Sequence, residues 1–263
     1  MKKVILLAGV LAILAACATS STKDNDPWNK LDPSKVGGSS SVLNLSMHSN
    51  SMGREMTYSI WLPAGYDESK TYPFFYLLHG YETDDQNGQF NRCWLDKGNA
   101  AYIADDYQKS GGVPMVIVMP NGLNKFYIAD GYEQYFEEEL MAEVEKKYHC
   151  NGKRAIGGLS MGGYGTLYHA LTYPQKFTYA YAMSPAVDNS WTTKVKDASL
   201  LPGITIETGE DDMTTRLNTI TPFVNAMKNK GVEIDFITRP GGHEWPFWQV
   251  CLPKALRKAA NSF

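Results

Sequence analysis

Apolar and polar residues alternate from Val42 onward: Val42, Leu43, Leu45 and Met47, then, beyond Asn50-Ser51-Met52-Gly53, Met56, Tyr58, Ile60 and Leu62. A period of two describes a strand with one buried face, and two such runs across a short polar turn predict an antiparallel hairpin. The pattern then changes. Tyr72-Pro73-Phe74-Phe75-Tyr76-Leu77-Leu78 and Met115-Val116-Ile117-Val118-Met119 are unbroken apolar runs, closed by His79-Gly80 and Pro120-Asn121-Gly122. Runs of this kind fit parallel strands covered on both faces. Ala100–Lys109 predicts a helix between them, and Phe136–Tyr148 a second with Leu140, Met141 and Val144 on its apolar side.

Beyond these, Arg154–Gly158 reads as a short strand and Tyr164–Tyr173 as a helix stopped by Pro174. Strands follow at Thr178–Met183, Gly203–Thr208 and Val232–Arg239, with helices at Thr221–Lys230 and Pro253–Ala260. An antiparallel entry followed by alternating strands and helices predicts an α/β domain: a mostly parallel sheet with helices on both faces. The stretch between the strands at Thr178 and Gly203 is too short for a large cap, so an open cleft is expected.

The first residues follow another logic. Met1-Lys2-Lys3 precedes an apolar run from Val4 to Ala16, too short to span a bilayer and suited to an export signal over residues 1–16. The run ends Leu14-Ala15-Ala16-Cys17, which resembles a bacterial lipobox; this predicts cleavage before Cys17, a lipid on that cysteine and attachment to a membrane outside the cytoplasm. Residues 17–41, rich in Ser, Thr, Asp, Asn, Gly and Lys, read as a tether, leaving 42–263 as one domain. Removal of Lys2 and Lys3 leaves 23 basic against 28 acidic residues, a net charge of −5. With no basic cluster, nucleic acid is not an expected partner. In an oxidising compartment Cys93, Cys150 and Cys251 suffice for one disulfide and one free thiol; the sequence does not assign the pair, Cys93–Cys251 is favoured because both lie near loops expected to converge on the site, and three buried thiols are the alternative reading.

Candidate chemistry centres on Gly158-Leu159-Ser160-Met161-Gly162, a Gly-x-Ser-x-Gly pentapeptide set between a predicted strand and a predicted helix. That is the context of a nucleophile elbow, so the layout is that of an α/β-hydrolase sheet. A serine hydroxyl needs a base, and the base a carboxylate, in the chain order Ser, acid, His. Of five histidines only His243, in Pro240-Gly241-Gly242-His243-Glu244-Trp245, follows both the elbow and every strand able to carry the acid. His48, His149 and His169 sit on the hairpin, at a helix end and inside a helix, and are read as structural or solvated. The acid lies among Asp188, Glu210, Asp211 and Asp212; spacing does not choose between Asp211 and Asp212. The amides of Met161, next to the nucleophile, and Tyr81, after His79-Gly80, are the expected oxyanion donors. His79 is expected to shape that loop. Tyr81, Trp94, Trp245, Phe247 and Trp248 are placed near the rim, with plain core packing the equal reading for Phe247 and Trp248 and with Trp94 and Trp245 as the substrate-binding pair. This chemistry calls for no metal and no cofactor.

With these residues in place the chain resembles the esterase D-like group of α/β-hydrolases, and within it the carbohydrate esterases of feruloyl and acetyl-xylan type. The resemblance spans about Met56 to Trp248 and rests on Leu77-Leu78-His79-Gly80, Val118-Met119-Pro120-Asn121-Gly122, Glu137 to Tyr148, Gly158 to Gly163 and Pro240 to Trp245. It implies an acid three residues after a strand-ending glycine and six before an asparagine, which Gly209, Asp212 and Asn218 match. It also implies Tyr81 as an oxyanion amide. Tyr81-Glu82-Thr83-Asp84-Asp85 departs from the glycine-rich run of many relatives. The implied activity is serine-dependent removal of feruloyl or acetyl groups from an acylated plant polysaccharide.

Overall fold

The structure is a computed structural model describing residues 40–83 and 88–263. The expected leader (1–16), Cys17, nearly all of the expected tether (17–41) and Asp84-Asp85 lie outside the described residues.

Eight strands form one sheet: β1 (Ser41–Ser49), β2 (Arg54–Leu62), β3 (Tyr72–Leu78), β4 (Val116–Pro120), β5 (Cys150–Leu159), β6 (Tyr179–Met183), β7 (Gly203–Gly209) and β8 (Ile234–Arg239), in the order β1-β2-β4-β3-β5-β6-β7-β8. The expected hairpin is present, with Ser41 opposite Leu62 and Ser49 opposite Arg54. β2 meets β4 antiparallel, and every pairing from β4 to β8 is parallel. The unbroken apolar run of β3 has a simple origin. Phe74, Tyr76 and Leu78 enter the core on one face of the sheet, and Phe75 and Leu77 enter that on the other.

Helix α1 (Ala100–Lys109) covers one face, while α2 (Met141–Lys147), α3 (Met161–Thr172) and α4 (Leu217–Lys228) cover the opposite one. The last helix, α5 (Trp245–Ser262), packs beside α1. It starts eight residues before the expected Pro253. Pro253 lacks an N–H for the helix ladder, but Phe247, Trp248, Cys251, Leu252, Ala255 and Leu256 are all buried and carry the helix across it. The helix expected at Phe136–Tyr148 opens instead with a π-helical turn, Tyr135–Leu140, whose wider spacing turns Tyr135, Phe136, Glu137 and Leu140 inward together.

The favoured Cys93–Cys251 disulfide is absent: none of Cys93, Cys150 and Cys251 is in a disulfide, as in the alternative reading of three thiols. Cys93 and Cys251 are buried, and Cys251 Sγ is engaged by its own helix, donating to Phe247 O at 3.3 Å.

Beneath the carboxyl ends of the strands Glu207, on β7, is fully buried. Its Oε1 accepts from Arg239 Nε at 2.6 Å and Lys254 Nζ at 2.7 Å, and its Oε2 accepts from Tyr181 Oη. Burial pushes this carboxyl up, but the bonds from Lys254, Tyr181 and Arg239 outweigh it and hold the group below its ordinary value. Its contribution to stability is therefore complete above the unfolded-chain value and is lost on acidification through the folded one. Glu207→Gln strands two cations beside a neutral amide and is expected to cost about 3–5 kcal/mol in urea denaturation at pH 7; a loss below about 1 kcal/mol would show that the cluster is not stabilising.

Candidate active site

β5 ends at Leu159 and Ser160 turns the chain into α3 with φ 52°, a left-handed backbone held by a non-glycine residue. Only small neighbours permit this turn. A Cβ at Gly162 would stand 2.4 Å from Leu78 O and 2.6 Å from His79 O, so the helix start presses directly on the end of β3. Ser160 N–H donates to Met183 O at 2.9 Å, and its carbonyl accepts from Tyr164 N–H at 3.0 Å. The hydroxyl makes no hydrogen bond among the described residues; the bond between nucleophile and base in such sites often tightens only when substrate binds.

The loop after β7 carries the acids. Glu210 and Asp211 are exposed, Asp188 caps a 3₁₀ turn by accepting from Ser190 N–H at 2.8 Å, and Asp212 is buried. His243 Nδ1 lies 2.8 Å from Asp212 Oδ2, which fixes the tautomer with Nε2 left to accept a proton. Asp212 Oδ1 accepts from the N–H groups of Thr214 (2.9 Å) and Thr215 (2.8 Å), and Oδ2 also accepts from Thr215 Oγ1 at 3.0 Å. Burial pushes the carboxyl up, yet the bonds from His243 and Thr215 prevail and hold it below its ordinary value. It is therefore held as an acceptor for the imidazole N–H. The two loops are joined through backbone as well: Asp211 N–H donates to Gly241 O at 3.0 Å, and a Cβ at Gly209 would meet that same oxygen at 2.1 Å.

His79, 1% exposed, works on the strap beside the serine. Its Nε2 accepts from Gly122 N–H at 2.7 Å, which leaves the proton on Nδ1 to be donated to Gly80 O at 2.6 Å. Gly80 O and the Tyr81 N–H belong to one trans peptide and point opposite ways, so holding the oxygen aims the amide. The strap passes close to Ser160: a Cβ at Gly80 would lie 3.5 Å from Ser160 Cβ. Beyond Tyr81, Asn124 clamps Glu82 from both sides, its Oδ1 accepting from Glu82 N–H at 3.0 Å and its Nδ2 donating to Glu82 O at 2.7 Å. The Met161 N–H, in the first turn of α3, is among the four helix donors that have no partner in their own helix.

Of the expected aromatic rim, Trp245 is partly exposed. Trp94 is not: fully buried, it donates Nε1–H to Leu78 O at 3.0 Å and stands edge-on to Trp245 at 5.4 Å. Its burial against Trp245 and Leu78 leaves it no face to offer a substrate, which corrects its expected role. Phe247 and Trp248 are likewise core residues. Three partners were beyond sequence reasoning: Thr214 and Thr215 around the acid, and Asn124. The Asp-x-x-Thr spacing of Asp212 and Thr215 is the one turn signal in the sequence that could have found the first two.

A family model described as "Putative esterase" matches residues 49–259. An endo-1,4-beta-xylanase/feruloyl esterase of Xylanibacter ruminicola is 27% identical over 231 residues, covering 81% of this chain and 30% of that protein. An acetyl esterase of Caldicellulosiruptor saccharolyticus is 26% identical over 236 residues, covering 72% of this chain and 84% of that one. Among solved structures, a ferulic acid esterase superposes with a TM-score of 0.75 at 29% identity, over 85% of this chain and 98% of its own.

Burial depresses the His79 pKa to about 4, against a smaller upward pull from its bond to Gly80 O. Below pH 6.5 the unfolded chain binds a proton that the folded state refuses, so stability falls from pH 6.5 to about 4 by an amount on the order of 3 kcal/mol. Urea denaturation at pH 7 and 4.5 should show this slope in the native protein and a shallower one in His79→Gln. Equal slopes would mean that His79 is protonated in the fold.

Proposed function

The chain belongs to the putative-esterase family and is a carboxylic ester hydrolase, and we propose that Ser160, His243 and Asp212 form its catalytic triad, acting on feruloyl or acetyl esters of plant cell-wall xylan or its oligosaccharides. The observation that carries this reading is the 2.8 Å bond between His243 Nδ1 and Asp212 Oδ2 at the sheet edge where the strained Ser160 turn opens. In the proposed cycle Ser160 Oγ attacks the ester carbonyl while His243 Nε2 takes its proton. The amides of Tyr81 and Met161 hold the oxyanion, and His243 returns the proton to the departing sugar hydroxyl. Water then repeats the sequence on the acyl-enzyme with His243 as base, releasing the acid and the free serine. Asp212, kept ionised by its donors, stabilises the imidazolium in both halves.

The substrate class draws support from the relatives: one is named a feruloyl esterase with a xylanase and one an acetyl esterase. An open cleft suits a polymer chain, because only two short 3₁₀ turns, Asn189–Thr193 and Ala198–Leu200, lie between β6 and β7. Trp245 offers an aromatic face at the rim for a sugar ring. The Leu14-Ala15-Ala16-Cys17 stretch supports export and lipid attachment through Cys17, which would hold the enzyme at a membrane outside the cytoplasm.

Ser160→Ala is expected to lower kcat on p-nitrophenyl acetate by about four orders of magnitude or more, and Asp212→Asn by about three to four. Near-native turnover in either variant sinks the triad. Methyl ferulate, acetylated xylan and a triglyceride assayed side by side should show turnover of one or both of the first two and little of the third; preference for the triglyceride overturns the substrate class. Palmitate labelling in cells should vanish in Cys17→Ala, and labelling that persists there removes the anchor.

A further inference from the structure

Trp248, in the first turn of α5, takes no part in the cycle above, yet its indole stands directly against the imidazole of His243. The ring stands perpendicular to the His243 imidazole, with centroids 4.9 Å apart and 89° between planes. Its Nε1–H donates to Ser184 Oγ at 3.2 Å. Ser184, directly after β6, is fully buried and has φ 42°. It also precedes Pro185, a place where the chain is ordinarily extended. A left-handed backbone in a side-chain-bearing residue is strained and survives only where its surroundings impose it. Here they do: Ser184 N–H is taken by Glu207 O at 2.7 Å, and its hydroxyl accepts from the indole.

We propose that Trp248 is a positioning residue for His243, its ring fixing the plane of the imidazole and the bond from its N–H to the Ser184 hydroxyl fixing the ring. The indole itself has little freedom. Its other side meets Trp245 at 5.4 Å and 90°, Trp245 stands on Trp94, and Trp94 is tied through Nε1–H to Leu78 O at the end of β3. The orientation of the base thus rests on the strand that also delivers the oxyanion strap.

This inference rests on the triad reading, and the experiment separates the two. Trp248→Phe keeps an aromatic ring but loses the N–H; Ser184→Ala loses the acceptor; Ser184→Gly loses it at a φ that glycine tolerates. With p-nitrophenyl acetate each is expected to lower kcat about tenfold with KM within about twofold, and the double variant Trp248→Phe/Ser184→Ala to lose about tenfold, since the two single changes break one chain. A loss near one hundredfold in the double variant, a native kcat in Trp248→Phe or in Ser184→Gly, or a change confined to KM would each overturn the proposal. Activity retained in a parallel Ser160→Ala would instead overturn the triad reading on which it stands.

Discussion

The structure depends on backbone packed against backbone at the carboxyl ends of its parallel strands. The start of α3 presses on Leu78 O and His79 O through Gly162, and the end of β7 presses on Gly241 O through Gly209. No side chain fits in either contact. Each joins two segments that carry different parts of the proposed chemistry: the nucleophile to the oxyanion strap, and the acid to the base. The separation of the reacting groups is therefore set by main chain, the stiffest material a protein has. Side chains such as His79, Asn124 and Thr215 act afterwards, by fixing the direction of one peptide or one carboxylate.

Buried charge is placed with the same economy. Glu207 lies under the acid and base loops and is answered by Arg239 and Lys254. On the opposite face Glu137 meets His169 at 2.6 Å and Lys176 at 2.7 Å, where the π-helical turn points it inward. Both clusters tie a strand or helix that leads into the site to an element that follows it in the chain. Removing one member leaves the others desolvated and unanswered, which makes these clusters costly to break whatever their net worth when intact.

Much of this was legible in the sequence because two periodicities are strong signals. Alternation identified the β1–β2 hairpin, and unbroken apolar runs identified β3 and β4 as doubly covered. The Gly-x-Ser-x-Gly spacing identified the elbow because the glycines answer to steric contacts that no other residue satisfies. What was not legible depended on contacts distant in sequence. Spacing left Asp211 and Asp212 equal, and the resemblance to carbohydrate esterases favoured Asp212; the structure separates them by burial and by the bond to His243. Pro253 reads as a helix start, but the apolar face of α5 outweighs one missing hydrogen bond. Trp94 reads as a rim aromatic because it lies near a loop, and only the partner of its indole N–H, Leu78 O, shows it to be interior. Proximity of Cys93 and Cys251 to converging loops likewise said nothing about whether the two sulfurs meet.

The register of the outer strands carries one more consequence. β2 runs antiparallel to β4, with Tyr58 opposite Pro120 and Trp61 opposite Ile117, and Ser41 at the start of β1 lies opposite Leu62. The chain therefore enters the domain at the amino-terminal edge of the parallel strands, while Ser160, Asp212 and His243 occupy the carboxyl-terminal edge. Any attachment made through the segment before Ser41 holds the molecule by the pole opposite its cleft.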